Sequence, residues 1–234
     1  MLPVARPVLA TRTGLANISG ALYAVNMPTR NRVKIYGEDQ FYHVYNRGVN
    51  KEDIFKDDSD YVYFLSLFKR HLSPSEPVDK YGRLIRKYDD KIELVAYCLM
   101  PNHYHLLCYL KDPEGLVGLT RSVMTAYTMY FNKKYKRIGP LYQERFLASN
   151  INSDFYLWHV SRYIHLNPIT IGKNFRTYPY SSIDYYVGKK QSEWLHTEHL
   201  VETPEEKAKY LGFVSDYETM HKELDELKRI LAAS

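Results

Sequence analysis

His103 and His105 stand one residue apart in MPNHYHLL, residues 100–107, and of all side chains in this sequence they are the pair whose type and spacing suit metal chemistry. Strand side chains alternate, so if this run is a strand both imidazoles point to one face and can share an ion. Tyr104, Leu106 and Cys108 then point to the other face. That parity removes Cys108 from the shell and argues against a Cys2His2 structural zinc site. A lone His-x-His is also compatible with packed core histidines, so further ligands have to come from another element.

The stretch DFYLWHVSRYIHLNP, 154–168, reads as a helix capped by Asp154 and stopped by Pro168. Tyr163 and Asn167 are four residues apart within it, which stacks them on one helix face about one turn apart. His165 faces elsewhere and packs or meets solvent. Two imidazoles and one amide oxygen form a neutral, incomplete shell with positions left for water or phosphate oxygens. An ion there acts as a Lewis acid, and a phenol with a free pKa of about 10 becomes a nucleophile once its proton is removed. Periodicity does not distinguish Tyr163 from the other tyrosines, of which the chain has 23 in all; core packing is their ordinary role.

The elements that must position these groups are legible in outline. FYHVYN alternates like a strand, followed by a turn at Asn46-Arg47-Gly48 in which Gly48 can take a positive φ. Tyr61, Phe64, Leu65 and Phe68 recur at helical spacing behind the cap candidates Asp57, Asp58 and Ser59. Residues 91–100 and 103–110 read as two strands joined through Met100-Pro101-Asn102, a long helix spans about 114–134, and YQERFLASNI, 142–151, reads as a fourth strand. The resulting β-α-β-β-α-β order predicts an α+β, ferredoxin-like split βαβ domain. Its antiparallel sheet carries helices on one face, with a further helix at 154–168 and a helical C-terminal extension.

Three regions follow from composition: an arm at 1–36, a main domain at 37–188 and a charged extension at 189–234, where Leu224, Leu227 and Leu231 form a stripe. The arm contains no acidic residue and resembles a transit-like or disordered segment, and Met27 offers an alternative initiator. Net charge is +5 overall, but residues 198–234 carry nine acids against five bases, which leaves +9 on residues 1–197. A basic, tyrosine-rich body suits nucleic acid, because cations attract phosphates and phenol rings stack on unpaired bases. With two cysteines and no apolar run near ~20 residues, a disulfide scaffold and a membrane span are not expected.

FYHVYNRG, AYCLMPNHYHLL, YFNKKYKRIGPLYQERF and RYIHLNP occur in this order over about Gln40–Tyr186. Together they resemble the HUH single-tyrosine transposases, and among them the REP-associated tyrosine transposases. The resemblance implies that His103 and His105 bind Mg2+ or Mn2+, that Asn167 completes the shell, and that Tyr163 is the catalytic nucleophile. It implies cleavage and rejoining of single-stranded DNA through a 5'-phosphotyrosyl intermediate, beside a DNA hairpin, in a bacterial cytoplasmic, nucleoid-associated protein, with a homodimer compatible. Phosphate contacts are expected from Lys133, Lys134, Lys136 and Arg137 of the basic loop, and from Arg47 and Arg145. Tyr104 stands where an aliphatic residue is usual, and the arm and the polar loop at 73–90 fall outside the pattern. Two other readings compete with it: a catalytically silent hairpin-binding relative, and a metal-dependent hydrolase that uses water and forms no protein–DNA adduct.

Overall fold

The computed structural model describes residues 36–75, 78 and 81–216. Residues 1–35 of the expected arm and the leucine stripe at 224–231 lie outside the described residues. Strand β1 (Gln40–Arg47), helix α1 (Asp58–Leu72), strands β2 (Ile92–Met100) and β3 (His103–Leu110), helix α2 (Pro113–Tyr135) and strand β4 (Leu147–Ile151) follow in the expected order, and helix α3 (Asp154–Leu166) comes next. The strands form one sheet in the order β2-β3-β1-β4, with every neighbouring pair antiparallel. The split βαβ expectation is borne out.

Helix α1 starts at Asp57, whose carboxylate accepts from the Asp60 amide while Asp60 answers back to the Asp57 amide. Helix α2 starts at Asp112 with Pro113 in its first turn, where the missing N–H costs nothing. Leu116, Leu119, Val123, Tyr127 and Phe131 recur at three- and four-residue steps along α2 and bury against one sheet face with Phe64 and Phe68 of α1 and Tyr42, Val44, Tyr104, Leu106 and Cys108 of the strands. The other face is also covered. There Ala96, Cys98, Met100 and Leu107 pack against Leu157, Val160, Tyr163 and Ile164 of α3. Thus α1 and α2 occupy one face, and α3 makes the second layer.

The described part of the C-terminal extension belongs to both layers. Trp194 and Leu195 join the first core, while Leu200, Val201 and, from helix α5 (Pro204–Ser215), Tyr210 and Val214 join the second. The segment around helix α4 (Ile183–Tyr186) lies along the outer edge of β2. Tyr180 O accepts from Leu99 N, Ser182 N and its hydroxyl meet Tyr97 on both backbone groups, and the Tyr178 and Tyr186 hydroxyls donate to Leu99 O and Val95 O. His196 N closes the row on Leu94 O.

Three local expectations are corrected. The fourth strand begins at Leu147 rather than at 142, because the Asn46 side-chain amide donates to the carbonyls of Glu144 and Arg145, at 2.8 Å each, and holds that backbone out of the ladder. Gly48 has φ −61, so its role is not a positive φ; a Cβ there would lie 2.1 Å from the Glu52 carbonyl oxygen, which only glycine avoids. Ser153, not Asp154, caps α3 by accepting from the Tyr156 amide.

His165 packs rather than meeting solvent. Its Nδ1 lies 2.7 Å from the Tyr210 hydroxyl and its Nε2 2.7 Å from the Ser182 hydroxyl. Tyr210 passes its own hydrogen to Ser161, and Ser161 donates to Trp158 O, so every proton in the chain has an acceptor when His165 is neutral. Burial pulls the His165 imidazole down to about 3. The unfolded chain takes up this proton below about 6.5 and the folded chain does not until about 3. Stability therefore falls as pH drops through that window, by up to about 1.4 kcal/mol per pH unit for this one group. Urea unfolding between pH 4 and 6.5 should show a shallower pH slope in His165→Gln than in the wild type; equal slopes would mean that folded His165 is protonated.

Candidate functional site

Antiparallel pairing aligns β3 with both neighbours so that Arg47 stands opposite His103, Tyr45 opposite His105 and His43 opposite Leu107, with Met100 and Cys98 opposite the two histidines on the far side. Directly opposed residues share a sheet face. His103 and His105 consequently project toward α3 and Tyr104 toward α1 and α2, as the alternation requires. The start of β3 is fixed by backbone bonds: Gly48 N donates to Asn102 O at 2.9 Å, and Ile54 N and Phe55 N both donate to Pro101 O. Asn102 Nδ2 donates to Lys51 O, and Asn102 Oδ1 accepts from His103 Nδ1 at 2.7 Å. An amide oxygen only accepts, so the His103 proton sits on Nδ1 and its Nε2 keeps a free lone pair.

His105 stands edge-on to His103, ring centroids 5.0 Å apart, and edge-on to Tyr163 at 5.3 Å. Its Nε2 is buried and has no hydrogen-bond partner. Asn167 Nδ2 donates to the Tyr163 carbonyl oxygen at 2.9 Å, so the amide is anchored to the end of α3 by its nitrogen. Its side chain also lies within hydrogen-bonding reach of the His103 and Tyr163 side chains. Desolvation, with Arg47 beside it, lowers His103 to about 4 against the pull of the Asn167 contact, and desolvation holds His105 well below its usual range. Both imidazoles are neutral near pH 7, the state that ligates. Tyr163 is 8% exposed, and burial raises its phenol to about 12, opposed by Asn167.

These groups fit a divalent cation: two neutral imidazoles, His103 with a free lone pair on Nε2 and His105 with a buried, unpartnered Nε2, and one anchored amide. Among the described residues no group of three or more His, Cys, Asp or Glu side chains is placed to hold a metal ion. Asn167 adds a side-chain amide within reach of His103.

The basic residues separate into different situations. Arg47 is exposed and lies on the histidine face. Lys133 and Lys136 are exposed at the end of α2, where Lys136 takes φ 51 as the cap. Arg137 binds Asn132 and reaches Glu52, and Val49 N donates to Leu141 O, so this loop is tied to the segment that also braces the β2–β3 turn. Lys134 departs from the expected phosphate role. Its ammonium meets Asp57, Ser59 and Asp60 at 2.6–2.8 Å, and the Asp60 side chain is 0% exposed. Arg145 is exposed in a groove of about 880 Å3 between α2 and residues 140–146, beside Arg121, Met124 and Phe146, away from the histidine face.

Two residues of the site were not singled out from sequence. His43 hydrogen-bonds His105, Nε2 to Nδ1 at 2.9 Å, and Cys98 lies buried opposite His105 with its thiol raised by desolvation. The alternation of FYHVYN put His43 and Tyr45 on a common face, but only the register says that this face is the one carrying His103 and His105, and Arg47, read as a turn residue, ends β1 opposite His103.

Residues 79–167 match the family model of IS200-like transposases. That span runs through β2, β3, α2, β4 and α3, includes His103, His105, Tyr163 and Asn167, and leaves out β1. The resemblance drawn from the motifs is borne out over it. No curated protein matches the chain significantly. A solved structure of a REP-associated tyrosine transposase bound to a REP hairpin is similar with a TM-score of 0.49 and 17% identity, covering 70% of this chain and 90% of that one. No described helix is long and apolar enough to cross a membrane.

The contrast between Lys134 and its neighbours is testable. Lys134→Ala should lower the melting temperature, because it strips Asp57 and buried Asp60 of their shared cation. Lys133→Ala with Lys136→Ala should leave melting unchanged and weaken binding to single-stranded DNA, flattening the slope of log affinity against log salt by about 0.7 per lost phosphate contact. Equal slopes in the double variant and the wild type would assign both lysines to solvent.

Proposed function

We propose that this chain cuts and rejoins single-stranded DNA beside a hairpin, with Tyr163 as nucleophile and Mg2+ or Mn2+ held by His103, His105 and Asn167. The observation that carries this reading is the convergence of Tyr163, in α3, on His105 and of Asn167, at the end of α3, on His103, within the segment that matches IS200-like transposases. When bound, the cation supplies Lewis acidity at the scissile phosphate.

The residues of the chain do the positioning. Tyr163 stands nearly perpendicular to both the His43 and the His105 ring, at 6.1 and 5.3 Å, and its backbone is tied to Asn167, which restricts the directions its hydroxyl can take. In the reaction the Tyr163 oxygen bonds to phosphorus as the bond to the 3'-oxygen breaks; the phenolic proton is given up and the departing 3'-oxygen gains one. The products are a 5'-phosphotyrosine and a 3'-hydroxyl, so no nucleotide triphosphate is consumed. Reversal on the same or another strand restores the phosphodiester. The low exposure of Tyr163, His105 and Asn167 keeps water from competing for the phosphotyrosine. Arg47, exposed beside His103, is placed to meet a phosphate of the cut strand.

Incubation of single-stranded DNA containing a hairpin with the protein and Mn2+ should give a covalent adduct on a denaturing gel. Tyr163→Phe should abolish it while hairpin binding is retained. Cut DNA without an adduct in the wild type would instead identify water as the nucleophile, and binding without cutting would identify a silent hairpin binder. Asn167→Leu should lower both Mn2+ affinity and adduct yield. It should also lower the melting temperature modestly, because its bond to the Tyr163 carbonyl is lost; a change in melting alone would remove Asn167 from the metal shell.

A further inference from the structure

His43 lies on β1, outside the segment matched to the transposase family model, and is fully desolvated. Its Nε2 is 2.9 Å from His105 Nδ1, and the two rings lie nearly parallel, 14° apart. Tyr45 stacks on His43 at 4.9 Å and Tyr163 meets it edge-on at 6.1 Å, which fixes the ring plane. The outer nitrogens of the pair, His43 Nδ1 and His105 Nε2, are both buried and without hydrogen-bond partners.

One proton lies between the two inner nitrogens, and its owner decides what His105 offers to the site. If His43 donates, His105 carries its proton on Nε2 and presents an N–H where a lone pair is needed. If His105 donates, Nε2 is free to ligate and His43 carries its own proton on Nδ1. His103 shows the same device in unambiguous form, because its Nδ1 can only donate to the Asn102 amide oxygen.

We infer that His43 is a positioning residue: by accepting the Nδ1–H of His105 it fixes the tautomer and ring direction that turn the His105 Nε2 lone pair toward the cation. This rests on the metal reading above. The effect is that of an outer-shell partner, whose loss lowers metal affinity by about ten- to a hundredfold.

The test uses the full chain labelled with 15N-histidine. In the metal-free wild type, long-range 1H–15N correlation should report His105 protonated on Nδ1; protonation on Nε2 overturns the inference without any variant. His43→Leu, of similar volume but with no acceptor, should shift His105 toward the Nε2–H form and weaken Mn2+ binding, read by calorimetry, by about ten- to a hundredfold. His43→Gln, whose amide oxygen reaches the place of Nε2, should restore the tautomer and most of the affinity. If His43→Leu folds and binds Mn2+ as the wild type does while His103→Ala loses binding, His43 is structural only and the metal site stands. If His103→Ala also binds as the wild type does, the metal reading itself fails and takes the inference with it. Should His43→Leu not fold, the wild-type tautomer and the His43→Gln affinity decide.

Discussion

The pleat of β3 is the constraint on which the molecule depends. Its odd-numbered residues, His103, His105 and Leu107, face α3, and its even-numbered ones, Tyr104, Leu106 and Cys108, face α1 and α2. Because both faces are buried, a slip of one residue would put two imidazoles into an apolar core and Tyr104 and Leu106 into the polar site. Register is accordingly held at both ends of the strand: by Gly48, Ile54 and Phe55 on the turn before it, and by Lys91, whose carbonyl accepts from Lys111 and Asp112 just beyond it. The same alignment that builds two cores aims the chemistry.

Within the second core the site is polar but economical. His103 and His105 are neutral because desolvation disfavours their cations, and Arg47 adds to that effect at both. Tyr163 is a phenol at neutral pH for the same reason, with its pKa near 12. A bound cation would reverse the electrostatics for the tyrosine by favouring phenolate, while the histidines already exist in the form it needs. Asn167 links the two sets, since its nitrogen ends α3 and its remaining amide atom is oriented by that bond.

Much of this was legible in the sequence. Strand alternation gave the face of His103 and His105, helical spacing brought Tyr163 and Asn167 together, and the element order yielded the sheet. What was not legible depends on register and on long-range side chains. His43 becomes a neighbour of His105 only through the β1–β3 pairing, and Cys98 through β2–β3. The KKYKR run read as one basic loop, yet Lys134 turns back to the start of α1, 74 residues earlier in sequence from Asp60, while Lys133 and Lys136 face solvent. Gly48 looked like a turn glycine, whereas the approach of the Glu52 carbonyl is what demands it.

The row of bonds along the outer side of β2 has a consequence for how the sheet meets other chains. An edge strand with free amides and carbonyls invites intermolecular β-pairing. Here Leu94, Val95, Tyr97 and Leu99 spend those groups on residues 178–196 of the same chain. A chain cut at residue 188 would lose the His196 bond to Leu94 and the cover of Trp194 and Leu195, laying open the start of a strand that is apolar but for Glu93. The late segments thus act as a built-in guard against aggregation at β2, while the five-residue β4 forms the opposite edge of the sheet among the described residues.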